Sequence, residues 1–90
     1  MAKRKLQWDT DAWEEYVDWQ RENKSITKRI NQLIKDMLRT PFEGLGKPEG
    51  LKGDLSGFWS RRINDEHRIV YAVEDNVIVI ISCKNHYDFR

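Results

Sequence analysis

Between Gly57 and Val73 the chain reads Gly-Phe-Trp-Ser-Arg-Arg-Ile-Asn-Asp-Glu-His-Arg-Ile-Val-Tyr-Ala-Val, and this stretch constrains the fold more than any other. Two runs rich in aromatic and β-branched residues flank Asn64, Asp65 and Glu66, the local signature of a β-hairpin. Alternation puts Phe58, Ser60 and Arg62 on one face of the first strand, and Arg68, Val70 and Ala72 on one face of the second. Which faces coincide depends on register. If Arg62 and Arg68 share a face, two cations meet on the sheet surface, which like-charge repulsion disfavours unless an anion is held there. Phosphate is the obvious anion. Arginines that merely decorate a solvated sheet face are the commoner arrangement, so the hairpin alone leaves both readings open.

The remaining segments supply partners for such a hairpin. Lys5 to Trp8 has the length of an edge strand, and Asp9 or Thr10 can cap the helix after it. In that helix Asp11, Glu14 and Glu15 occupy the first turns, where carboxylates favour the positive end of the dipole, and Ala12, Trp13, Tyr16 and Trp19 form an apolar face. It is predicted to end near Glu22 or Asn23. Ser25 can cap a second helix, in which Ile26, Ile30, Leu33, Ile34, Met37 and Leu38 recur at three and four residues until Thr40-Pro41 stops it. A link this short makes the two helices an antiparallel pair whose apolar faces need a sheet. Residues 41–57, punctuated by Gly44, Gly46, Pro48, Gly50, Gly53 and Gly57, have loop composition, and a polar loop of that length in a small domain tends to carry function or to move. After a tight turn at Glu74-Asp75-Asn76, the run Val77 to Cys83 lacks alternation and reads as a central strand buried on both faces.

Ninety residues make one domain, spanning 1–90, that buries about 60–65% of its unfolded surface. Four Trp, three Tyr and three Phe give it a core that needs no disulfide or metal. The single cysteine, Cys83, comes after an apolar run and reads as a buried, inert thiol in a reducing compartment. No stretch has the length of a signal-peptide core or a membrane span, so a cytoplasmic location is expected. Net charge is only +1, yet its distribution is uneven. Acidic residues crowd Asp9 to Glu22, basic ones crowd Lys24 to Arg39, and Lys47, Lys52, Arg61, Arg62 and Arg68 lie beyond them. A basic surface on a neutral domain can still contact a polyanion.

Three groups of complementary kind lie on segments able to converge: Glu49 in the glycine-rich loop, Arg68 on the hairpin and His86 past the last strand. Together they suit RNA cleavage by the ribose's own hydroxyl, with a carboxylate taking the 2'-OH proton, a histidine protonating the departing 5' oxygen, and an arginine stabilising the charged phosphorane. The chemistry asks for no metal, and two histidines and one cysteine show no ligand spacing. Tyr87 can stack on a base or orient the site. Singly, each has a plainer role: a loop carboxylate, a solvated imidazole, a ring capping the core. His67, beside the turn, reads as a strand-start residue in a local hydrogen bond.

Pro41-Phe42-Glu43-Gly44, Gly46-Lys47-Pro48-Glu49, Leu55-Ser56-Gly57-Phe58-Trp59-Ser60-Arg61-Arg62-Ile63, Glu66-His67-Arg68-Ile69-Val70-Tyr71 and His86-Tyr87 together resemble the YoeB (Txe) toxins of the RelE-like superfamily, in order and spacing, from Trp8 through Tyr87. The resemblance implies an α+β, microbial-RNase-like fold with two N-terminal antiparallel helices packed on a mainly antiparallel sheet. It implies a ribosome-dependent endoribonuclease that cuts mRNA in the ribosomal A site without cofactor or metal, held inactive by a YefM-like antitoxin, with homodimers among its assemblies. Carried over residue by residue, it makes Glu49 the general base, His86 the general acid, Arg68 the transition-state arginine, and Tyr87 the aromatic beside the histidine. Lys52 and Arg62 become RNA or phosphate contacts, with Lys47 and Arg61 as supporting basic surface. The chain departs from the family's pattern by continuing through Asp88, Phe89 and Arg90, which puts an acid beside the histidine. Two other readings compete: a same-fold toxin that blocks a protein target such as DNA gyrase, as ParE-type relatives do, and an inactive RNA- or partner-binding module.

Overall fold

The computed structural model describes residues 4–84, which run in the order β1 (Lys5–Trp8), α1 (Thr10–Glu22), α2 (Lys24–Arg39), β2 (Glu49–Gly50), β3 (Phe58–Arg62), β4 (Arg68–Glu74) and β5 (Val77–Ser82). The strands form one sheet in the order β1-β5-β4-β3-β2. Only β1 runs parallel to its neighbour, β5; the other pairings are antiparallel. The expected fold class, two helices on a mainly antiparallel sheet, is the one observed.

The helices differ in how their ends are met. Asn23 alone separates α1 from α2, and its Oδ1 accepts the Ile26 amide at 3.1 Å. The cap of α2 is therefore Asn23 and not Ser25, which lies inside the helix; a side-chain acceptor two residues earlier captures the free amides first. At α1 the Asp9 side chain makes no capping bond, and only its carbonyl engages, accepting from the Trp13 amide at 3.0 Å. Ile26, Ile30, Leu33, Ile34 and Met37 of α2 are buried as their spacing predicts. On α1 only Ala12 and Trp19 are buried; Trp13 is 48% exposed and leans on Trp8 and Tyr16 in an aromatic cluster at the β1 edge.

Beneath the helices lie Ile63, Ile69, Tyr71, Ile78, Ile80 and Cys83, which complete a single apolar core with them. The prediction for the last strand needs correction. β5 is internal but not the middle strand, since β4 holds that place. Its burial alternates, with Ile78, Ile80 and Ser82 buried and Val77, Val79 and Ile81 half-buried. Ile78 and Ile80 fill the helix face, and the strand's other β-branched residues are only half-buried.

Residues 41–57 also prove more ordered than their composition suggests. Glu49 and Gly50 add a short edge strand, pairing with Ser60 and Trp59 of β3, and Gly53–Leu55 form a 3-10 turn. Arg61 organises the start of this stretch. Its side chain has no solvent exposure, and its guanidinium donates to Tyr71 Oη at 3.0 Å, to Asp36 Oδ2 at 2.8 Å, and to the carbonyls of Leu45, Thr40 and Glu43 at 3.1, 2.6 and 2.9 Å. Tyr71 Oη in turn donates to the Pro41 carbonyl at 2.7 Å. Arg61 is therefore not basic surface: a planar fork of five donors satisfies loop carbonyls that the fold has taken from water.

Candidate functional site

The β3–β4 register settles which faces of the hairpin coincide. Phe58 pairs with Ala72, Ser60 with Val70, and Arg62 with Arg68. The two arginines are direct cross-strand partners on the face opposite the helices, because Trp59, Arg61, Ile69 and Tyr71 take the helix side. Asn64 makes this hairpin turn possible. Its Oδ1 accepts the amides of Glu66 and His67 at 2.9 and 2.7 Å, and the Ile63 amide closes onto the His67 carbonyl at 3.0 Å. His67 itself is buried, with its ring edge-on to Trp19 at 4.7 Å, so it sits just before β4 in the local hydrogen bond its position suggests.

β2 brings Glu49 onto the arginine face. Its register partner is Ser60, whose own partner on β4 is Val70, and Val70 pairs onward with Ser82 of β5. Glu49, Ser60, Val70 and Ser82 thus form one row across four strands, and Arg62 with Arg68 forms the next row on the same face. On regular strand spacings the Cα atoms of Glu49 and Arg68 are about 12 Å apart. Glu49 and Arg62 are exposed, and neither makes a side-chain hydrogen bond or ion pair among the described residues. Arg68 directs Nη1 to the carbonyls of Asn64 and His67 at 2.8 and 3.2 Å, and its Nε and Nη2 make no hydrogen bond among the described residues. Lys52, exposed, lies two residues past β2 and precedes the 3-10 turn.

Four of the six predicted site residues, Glu49, Lys52, Arg62 and Arg68, thus belong to neighbouring parts of β2, β3, β4 and the adjoining turn. His86 and Tyr87 lie outside the described residues. Alternation places Ser60 on the face of Arg62, but Ser82 carries no sequence signal that it joins this row, since a single serine in a strand shows no register. Ser60 and Ser82 are 6% and 2% exposed, and the Ser82 hydroxyl has no hydrogen-bond partner among the described residues. No group of three or more His, Cys, Asp or Glu side chains arranged to hold a metal occurs among the described residues.

The whole chain has close counterparts. The family model for the YoeB-like toxin of bacterial type II toxin-antitoxin systems matches residues 8–87. The chain belongs to this family. Toxin YoeB of Escherichia coli (strain K12) is 59% identical over 83 residues, covering 92% of this chain and 99% of that protein. A YoeB dimer from Staphylococcus aureus superposes with a TM-score of 0.88 at 48% identity, covering 96% of this chain and 100% of the other. The toxin of a YoeB-YefM complex from the same organism does so with a TM-score of 0.86 at 49% identity and the same coverage. The chain is therefore a type II toxin of the YoeB-like family, and its sheet face must be read as part of a toxin.

Proposed function

We propose that this YoeB-like toxin is an endoribonuclease that cuts mRNA within the translating ribosome. The observation that carries the reading is the sheet face itself, where Glu49, exposed on β2, shares a face with Arg62 and Arg68, which are cross-strand partners one row away. Repulsion between adjacent cations is relieved by an anion, and a phosphodiester between Glu49 and Arg68 meets both a base and a positive charge.

In the proposed reaction Glu49 takes the proton of the ribose 2'-OH, whose oxygen attacks the adjacent phosphorus. Arg68 stabilises the extra negative charge of the phosphorane, with Arg62 and Lys52 holding neighbouring phosphates. His86 gives its proton to the departing 5' oxygen, leaving a 2',3'-cyclic phosphate and a 5'-hydroxyl, and Tyr87 stacks beside it. Atoms and charges balance without a metal or cofactor. The expected partners are the ribosome with its mRNA, a YefM-like antitoxin such as the one in the Staphylococcus aureus complex, and a second copy of the chain. The expected place of action is the cytoplasm, and no described helix is long and apolar enough to cross a membrane.

The test is a reconstituted translation reaction with wild type, Glu49→Ala and His86→Ala, and a parallel reaction lacking ribosomes. Ribosome-dependent cuts at A-site codons, slowed about 10² to 10⁴-fold by either substitution, are the expected result. Arrest of translation with intact mRNA would overturn the nuclease reading in favour of a binding module.

A further inference from the structure

We propose that Glu15 and Trp19 of α1 are positioning residues that fix where the C-terminal segment carrying His86 leaves the sheet; the functional consequence rests on the nuclease reading above. The geometry begins with a β-bulge. Tyr71 pairs with Ile80 and the adjacent Val70 with Ser82, leaving Ile81 as an extra residue. A bulge shifts the alternation by one and re-aims the side chains beyond it. Here it turns Cys83, rather than Ser82, toward α1.

Every polar group of Cys83 is then bonded to that helix. Its amide donates to Glu15 Oε1 at 2.7 Å, its carbonyl accepts from Trp19 Nε1 at 2.8 Å, and its thiol donates to the Ala12 carbonyl at 3.7 Å. The next residue is held as well, with Lys84 Nζ 4.9 Å from the Trp19 ring centroid and 3.4 Å from Glu22 Oε2. A residue just past the end of a strand usually frays. This one is fastened on both backbone groups by two side chains of a single helix.

The fastening costs something. Burial pushes the Glu15 carboxyl up, against the opposing pull of the Cys83 and Lys84 amides and the Lys84 charge, so a partly desolvated carboxylate is spent on backbone that a plain apolar contact would leave unheld. The same Trp19 ring meets His67, whose carbonyl accepts from Arg68 Nη1. One side chain therefore touches both the segment leading into Arg68 and the segment leading toward His86.

The test compares wild type with Glu15→Ala, Glu15→Gln and Trp19→Phe. Glutamine keeps an oxygen acceptor for the Cys83 amide; phenylalanine keeps a ring and removes the indole donor. Hydrogen exchange at the Cys83 and Lys84 amides reads the clamp without reference to cleavage, and single-turnover cleavage of ribosome-bound mRNA reads its consequence. Expected are faster exchange at both amides in Glu15→Ala, near wild-type exchange in Glu15→Gln, and a cleavage rate lowered about 10- to 100-fold in Glu15→Ala and Trp19→Phe at unchanged half-saturating ribosome concentration. Wild-type exchange in a folded Glu15→Ala chain, or a glutamine variant as impaired as alanine, overturns the clamp. Should Glu15→Ala not fold, the glutamine and phenylalanine variants carry the same comparison. If wild type cuts no mRNA while the exchange pattern holds, the nuclease reading fails and the clamp stands.

Discussion

Asp36 and Arg61 show how a side chain's meaning depends on where the fold puts it. Arg61 is one of two adjacent arginines in Phe58–Arg62, yet it is fully buried and its neighbour is exposed. Removing Asp36 leaves that guanidinium without its carboxylate partner, so Asp36→Ala should lower stability by about 3 kcal/mol, read as a shift of the denaturant midpoint. The Leu45 amide and the Arg61 guanidinium hold the Asp36 carboxyl below its usual range. Its value in the folded state is thus lower than in the unfolded chain, near about 3.9. The stabilisation is present above that pH and is lost as pH falls through the folded value. Acid titration of wild type should show an added loss of stability below about pH 4 that the Asp36→Ala chain lacks. Cys83 illustrates the converse, a residue whose sequence reading as an inert thiol holds. It has no solvent exposure, and burial, with the Glu15 charge beside it, pushes the thiol up to about 12.

At the scale of elements, the helices and the β3–β4 hairpin were legible because their patterns are local. Apolar spacing of three and four residues in α2, and alternation about the Asn64 turn, each state which residues share a face. β2 was not legible. Two residues cannot show a period, and Glu49–Gly50 become a strand only because β3 offers an edge and because the preceding loop is pinned by Arg61. Gly46 is the tight point of that loop. Its φ is +78°, its carbonyl accepts the Arg62 amide at 2.6 Å, and a Cβ there would come within 2.7 Å of Leu33 Cδ2, 3.0 Å of the Arg62 carbonyl and 3.1 Å of Arg61 Cβ. Backbone and a fully buried side chain cannot yield as an exposed chain end would. Gly46→Ala should therefore cost at least about 2 kcal/mol, measured by thermal melting, and should slow cleavage by displacing the strand that carries Glu49. The α2 cap depends on tertiary path for a related reason: a serine and an asparagine two residues apart are both good caps, and only the path of the chain out of α1 selects Asn23.

For the molecule as a whole, a net charge of +1 hides an asymmetry that the fold sharpens. Arg61 is withdrawn into the core, while Arg62, Arg68 and Lys52 remain with Glu49 at one end of the sheet. Binding to single-stranded RNA with methylated 2'-hydroxyls should weaken as salt rises, and Arg62→Ala or Lys52→Ala should each reduce the log-log slope by roughly 0.7, the value for one phosphate contact. An unchanged slope would remove those residues from the RNA surface. By itself the sequence determined the helices, the longer strands, the α+β class and the family, because these come from local periodicity and from motifs kept in order along the chain. Tertiary structure alone decided that Arg62 faces Arg68, that Arg61 is a buried strut, that Glu49 lies on a strand, and that α1 grips Cys83. The first turns on how the hairpin closes at Asn64, and the others on contacts between segments distant in sequence, which no single segment encodes.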